Sequence, residues 1–264
     1  MFESKARERE MLANSMAHVR ADDLLLLDRG FPSYWLFAWL TERQRHFCIR
    51  VRDDVAGMKQ FEPFIRSTAQ EAVIRVEVPA AATRKAAAQG FEIGQRCFLI
   101  RLIRVRLPSG QTEFLATSLL DSDAFPASEF ADLYHRRWRI EECFKLLKCR
   151  LAVEHFSGEL PESIRQDFLA KVWLGNLVAT FAYLAHASLP PERQQRFMPN
   201  LTYVIAAVRA ALPRLLLGVA NPTTCLRQLF TLIARTFEWQ RPDRSFPRNR
   251  QVVKPTRHRA YKPI

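Results

Sequence analysis

The sequence predicts an α/β protein with a β-rich insertion and a helical C-terminal region, and three observations carry that reading. A run of four leucines, Leu24–Leu27, stops at Asp28-Arg29-Gly30. Ile103, Val105 and Leu107 alternate with Arg104 and Arg106, the period of a strand with one apolar and one cationic face. From Pro126 onward the apolar residues recur at helical spacing.

Residues 2–20 hold Glu, Arg, Ala and Met without Gly or Pro, so 1–20 reads as a polar helix. Residues 21–51 read as strand, turn, helix, strand. A short apolar run ended by a turn is a strand covered on both faces. Pro32 and Ser33 start a helix with Trp35, Leu36, Trp39 and Leu40 at helical spacing, and His46–Val51 is a second strand. Asp28 then stands at the carboxyl end of the first strand, where open α/β sheets gather ligands. Residues 52–120 form the insertion, with a strand at Val73–Val78 and a hairpin from Ile103–Leu107 to Phe114–Leu119 across Pro108-Ser109-Gly110. Residues 121–190 carry two helical stretches, to about Leu151 and from about Pro161 to His186. In 191–240, further helices are expected at about Leu201–Leu212 and Thr224–Trp239. Residues 241–264 hold eight Lys or Arg against one acid, a net of +7, a basic tail expected to lack regular structure.

The 264 residues carry 40 Lys and Arg against 27 Asp and Glu, a net charge of +13 with pI near 10.1. That surplus points to a polyanionic partner, nucleic acid before an anionic membrane. Val172–Pro191 lacks Asp, Glu, Lys and Arg over 20 residues, the length of a membrane span. Asn176, Thr180, His186, Ser188 and Pro190-Pro191 weaken it as lipid-facing helix, so a core helix of a soluble chain is expected. Five scattered cysteines (Cys48, Cys97, Cys143, Cys149, Cys225) with no CxxC pair support neither a zinc knuckle nor a secreted disulfide framework. Inert thiols in a reducing cytoplasm are the expectation, and the charged MFESKARERE start is no signal peptide.

The most informative segment runs from Tyr134 to Lys148. On one continuous helix, Tyr134, Arg137, Glu141 and Lys148 fall on a stripe about 60° wide. Leu133, Ile140, Phe144, Leu147 and Leu151 cluster beside it as a core face, and His135, Arg139, Glu142 and Arg150 point to solvent. Tyr134 and Lys148 would stand about 20 Å apart, too far to share an ion with Glu141 but suited to gripping successive phosphates. Spacing alone favours a plainer use: Arg137 and Glu141 as an i, i+4 ion pair, Asp28 as a turn residue before Gly30, and Trp138 as a half-buried aromatic.

Tyr134-x2-Arg137-x3-Glu141-x6-Lys148 resembles the Y-(2)-R-(3)-E-(6)-K signature of the IS-four-like group of DDE transposases, with Arg137-Trp138-x-Ile140-Glu141 in that group's usual form. Leu24–Leu27 with Asp28-Arg29-Gly30-Phe31 is similar to that family's segment around its second catalytic aspartate. Thr117–Leu120, Phe156-Ser157-Gly158, Asn176 and the basic tail also fit, so the resemblance runs from about residue 20 to the end. It implies a partial ribonuclease-H-like fold that cuts and rejoins DNA at insertion-sequence ends. Divalent ions, Mg²⁺ or Mn²⁺, would be held by carboxylates, Asp28 as the second and Glu141 as the third. Tyr134, Arg137 and Lys148 would contact DNA phosphates, and Trp138 would stack on a flipped base.

One family feature has no counterpart. The first catalytic aspartate is expected some tens of residues before the second, whereas Asp22 and Asp23 sit too close to Asp28 to replace it. The reading is a chain truncated before that aspartate, catalytically impaired, with an open apolar edge on the Leu24–Leu27 strand. The alternative is a non-enzymatic DNA-binding remnant that inhibits or partners a full-length transposase, as homodimer or mixed pair. A general basic RNA- or membrane-binding protein is the third reading.

Overall fold

A computed structural model describes residues 8–54, 58–107, 110–219 and 221–240. The turn residues Pro108 and Ser109, the first seven residues and the tail 241–264 lie outside the described residues. The chain divides into two compact units, Met1–Ile140 and Glu141–Ile264.

The first unit is a mixed α/β layer structure. In chain order it holds α1 (Glu8–Asn14), β1 (Leu24–Leu27), α2 (Tyr34–Glu42), β2 (His46–Val51), α3 (Glu62–Arg66), β3 (Glu71–Glu77), α4 (Ala80–Ala87), β4 (Cys97–Arg106), β5 (Thr112–Thr117) and α5 (Phe130–His135). One five-stranded sheet has the order β1-β2-β5-β4-β3. β1 and β2 are parallel, with Leu24 opposite His46, and every other pairing is antiparallel. The segment 52–120, expected as an insertion in an α/β frame, therefore does not stand apart: its strands extend the same sheet. It also contains two helices, α3 and α4, that the sequence reading passed over.

The four-leucine run is explained by two-sided burial. Leu25 and Leu27 pack with the α2 side of the sheet, where Trp35–Leu40 are all buried, and Leu24 and Leu26 pack with the α5 side around Phe130 and Tyr134. Alternate side chains of a strand point to opposite faces, so a strand between two helical layers has no polar position to offer. Ser33 starts α2 by accepting a hydrogen bond from the Leu36 amide. The alternation around Arg104 does not make a cationic surface. Its guanidinium lies over Phe114 and donates to the carbonyls of Phe64, Ile65, Ser67 and Ala69, tying down the C-terminal end of α3.

The second unit holds a π-helical turn (Leu146–Arg150), α7 (Pro161–Ala187), α8 (Pro191–Gln194), β6 (Phe197–Pro199), α9 (Leu201–Leu216), α10 (Pro222–Ala234) and β7 (Phe237–Trp239). Helix α6 (Trp138–Lys145) crosses the division between the units. Val178, Val204, Val208, Leu229 and Ile233 form the core between α7, α9 and α10. Asn200 and Asn221 cap α9 and α10 through their side chains. The last expected helix stops at Ala234, and Phe237–Trp239 instead pairs antiparallel with Phe197–Pro199.

Helix α7 corrects one expectation. Only one face is in a core, through Gly175, Val178, Ala182 and Ala185, while Leu169, Trp173 and Tyr183 are exposed. It is the one helix among the described residues long and apolar enough to cross a membrane, by length and composition.

Candidate nucleic-acid and metal site

Asp28 is exposed at the carboxyl end of β1. Its Oδ1 accepts a hydrogen bond from the Gly30 amide at 2.7 Å, an Asx-turn that lets the chain leave the strand sharply. A Cβ at Gly30 would lie 3.0 Å from that same oxygen, so the carboxylate and the glycine are fitted to each other. Asp22 and Asp23 precede β1, at its amino end: Asp22 pairs with Arg20, and Asp23 accepts from the Arg20 amide.

The 134–148 segment is not one helix. α5 ends at His135, α6 begins at Trp138, and the chain tightens between them through bonds of the i→i+3 kind, Arg136 N to Leu133 O and Arg137 N to Tyr134 O. A second change follows at Leu146–Arg150, where the Leu151 amide reaches back to the Leu146 carbonyl. The 60° stripe assumed a straight helix, and these two changes of winding break it. The expected core face breaks with it: Leu151 is buried, but Ile140 and Phe144 are about half exposed.

Tyr134 is buried, and its hydroxyl donates to the Leu27 carbonyl at 3.0 Å. Burial pushes the phenol well above its ordinary pKa, with the nearby Arg137 cation opposing. The ring is thus turned inward, with its hydroxyl committed to the strand end. It joins α5 to the residue immediately before Asp28, so the two motifs meet within the first unit although 107 positions separate the bonded residues.

Arg137 lies over two rings, 5.7 Å from the centre of Tyr134 and 5.1 Å from that of Trp138. Trp138 is 42% exposed. Glu141 is half-buried in the first turn of α6, a position where the helix dipole favours a carboxylate. Lys148, on the π turn, is 3.2 Å from Glu154. The π turn is held from behind by α7: a Cβ on Gly175 would come within 3.2 Å of Leu147, so the glycine permits close packing there. Lys171 donates to the carbonyls of Ala152 and His155 and fixes the chain leaving that turn. Asp28, Tyr134, Arg137 and Trp138 belong to the first unit, Glu141 and Lys148 to the second.

Two features were missed by the sequence reading. Arg101 is buried to 1% exposure, paired with Glu71 and donating to the carbonyls of Leu119, Asp121 and Phe125. It organises the loop that feeds α5, and the available signal was a charge at an inward position of Cys97–Ile103. The second is the Leu27 carbonyl itself, a backbone group with no signature in sequence.

A groove of about 420 Å³ lies beside β1 and α5, lined by Leu24, Leu119, Phe125 and Phe130 with Glu129, Asp132 and Arg136 among its polar groups. Among the described residues, no group of three or more His, Cys, Asp or Glu is placed to hold a metal ion.

Residues 4–177 match the transposase DDE domain. The chain is 26% identical over 178 residues to transposase InsG for insertion sequence element IS4 of Escherichia coli strain K12, covering 66% of this chain and 38% of that protein. It is 33% identical over 82 residues to the transposase for insertion sequence element IS421 of Escherichia coli, covering 31% and 20%. The chain thus spans well under half the length of these curated relatives. The matched domain includes both the Asp28 strand and the Tyr134–Lys148 segment and extends over more than half of the sequence, so the chain belongs to the family of transposases with a DDE domain.

Proposed function

We propose that this chain engages DNA at insertion-sequence ends, with a ribonuclease-H-like arrangement implied by its family, and that it cleaves that DNA poorly by itself. The observation that carries the reading is the Tyr134–Leu27 hydrogen bond, because it ties the arginine-rich start of one motif to the strand end that carries the aspartate of the other. Arg137 and Lys148 would grip backbone phosphates, and Trp138 would stack on an unpaired base. Tyr134 serves this site as an anchor instead of a phosphate contact.

DDE transposases work with divalent cations, and Asp28 and Glu141 are the carboxylates that would contribute to holding Mg²⁺ or Mn²⁺ here. The donor set falls short of a two-ion site: Asp28 has one oxygen engaged by Gly30, and no group of three or more possible ligands occurs among the described residues. Phosphodiester displacement needs both the attacking and the leaving oxygen stabilised, so no cleavage step is assigned to this chain alone. That shortfall favours DNA binding without turnover, and with it a chain that partners or inhibits a complete transposase.

The test is a binding and cleavage assay on a duplex carrying the terminal repeat of the encoding insertion sequence, with Mg²⁺ or Mn²⁺. Tight binding is expected, weakened about tenfold by Arg137→Ala or Lys148→Ala, with cleavage slow or undetectable. Robust metal-dependent cleavage would overturn the impaired reading, and equal affinity for RNA or anionic vesicles would overturn the DNA reading.

A further inference from the structure

The second unit holds a pocket of about 510 Å³ that includes none of the site residues above. Arg150 of the π turn, Tyr183 and His186 of α7, Met198 of β6, Asn200 before α9 and Glu238 of β7 line it. A volume of that size falls in the range of small-molecule sites. We propose that it receives one unpaired guanine of a DNA strand, a reading that rests on the chain engaging DNA.

The polar groups of the pocket select a neutral ligand over a bare phosphate. At the start of α9 the amides of Thr202 and Tyr203 would be the anion-binding groups. Asn200 Oδ1 already takes both, at 2.9 and 3.4 Å. Glu238, bonded to Asn200 Nδ2, adds a negative charge that repels an anion. His186 Nε2 lies 3.0 and 2.9 Å from the carbonyl oxygens of Gln194 and Phe197, so that nitrogen holds β6 against the end of α7. Arg150 and Glu238 remain. Arg150 spends one of its five donors on Thr202 Oγ1. The two oxygens of Glu238 accept one bond from Asn200, and each side chain keeps further hydrogen-bonding capacity.

A guanidinium and a carboxylate in one pocket suit a ligand with paired acceptors and paired donors. Guanine is the base that offers both. Its O6 and N7 match a guanidinium, and its N1–H with the N2 amine match a carboxylate on the neighbouring edge. Adenine, cytosine and thymine each lack at least one of those pairs. Tyr183 and Met198 are both exposed and supply an aromatic ring and a thioether on which a flat base can pack. Arg150 also follows Lys148 by two residues on the same π turn. One turn therefore carries both the cation of the pocket and the lysine assigned to a backbone phosphate.

Fluorescence anisotropy of the full chain with labelled single-stranded thymidine heptamers, the central base exchanged in turn, tests the proposal. All heptamers carry the same phosphates, so the backbone contribution is common to them. The heptamer with central guanine should bind about tenfold tighter than those with adenine, cytosine or thymine. Hypoxanthine, which lacks only the N2 amine of guanine, should lose most of that gain without any change to the protein. Glu238→Gln should bring the guanine heptamer to within about twofold of the all-thymidine one and leave the latter unchanged. Circular dichroism confirms that the variant is folded. Equal affinity for the four heptamers overturns the proposal, as does a guanine preference that survives both hypoxanthine and Glu238→Gln. Absence of binding to every heptamer also overturns it. The duplex assay with Arg137→Ala and Lys148→Ala decides the DNA reading separately.

Discussion

Replacing Tyr134 by Phe removes one oxygen and leaves the ring in place, and it separates two roles for the most buried member of the motif. The phenol hydroxyl bonds the Leu27 carbonyl at 3.0 Å in a buried setting. A buried hydrogen bond contributes about 1 kcal/mol net, and the carbonyl left behind adds part of a desolvation cost of about 1–3 kcal/mol. A loss of about 1–2 kcal/mol in urea unfolding is therefore expected, without a change in the denaturant slope. The pH dependence gives a second reading. The folded-state pKa of Tyr134 is raised above the unfolded value near 10, so its contribution is present below pH 10 and is lost as the unfolded phenol ionises above it. The variant should show a shallower loss of stability above pH 10, and the phenol that ionises at the highest pH should vanish from its absorbance titration. DNA affinity of the folded variant should stay within about twofold. A stability change below about 0.3 kcal/mol together with a tenfold loss of DNA affinity would refute the anchoring role and restore Tyr134 as a phosphate contact.

Arg101→Leu leaves Glu71 and three carbonyls around the 119–125 loop without their shared donor. Removing one side of a buried charged network costs about 3–5 kcal/mol, and chemical denaturation should show a loss of that size. Cys48 is buried in β2, and burial pushes its thiol up to about 12. The unfolded thiol ionises near 9, so stability is lost between pH 9 and 12, and Cys48→Val should flatten that part of the stability profile. Trp138→Ala removes an exposed ring, so its melting temperature should match the parent within about 2 °C. Its affinity for end DNA with an unpaired base should fall by about 1–3 kcal/mol if stacking occurs.

The first unit was legible where chemistry is local. Four leucines read as a strand buried on both faces because both faces are apolar, and Ser33 marked the start of α2. What escaped depends on partners far away in sequence. Ala80–Ala87 gave weak periodicity because the helix, which packs against α2, buries only Ala86. The strands of 52–120 were recognisable, but not their pairing into the sheet of β1 and β2, since register depends on the tertiary arrangement. At the site, residue identity was legible and orientation was not. Spacing placed Tyr134 and Arg137 on one stripe, yet two i→i+3 bonds turn the chain between them and send the phenol inward. Sequence periodicity assumes a constant twist, and a motif that changes helix type twice in fifteen residues defeats it.

Charge is the remaining term, and its distribution predicts how DNA binding divides. Residues 241–264 carry eight cations and one acid, over half of the net +13, while the motif supplies Arg137 and Lys148. Each phosphate neutralised on duplex DNA steepens the salt dependence of binding by about 0.9 in log–log slope. Deleting 241–264 should therefore lower the slope by as much as about 7, the full count of eight contacts, and weaken binding to any duplex. Lys148→Ala should lower it by only about 1. The preference for terminal-repeat over random DNA should behave oppositely, surviving the deletion and falling with Lys148→Ala, because counterion release from a basic tail carries no sequence information. If the deletion abolishes the preference while Lys148→Ala leaves both slope and preference intact, then the tail, and not the Tyr134–Lys148 segment, is the part of the chain that recognises the DNA end.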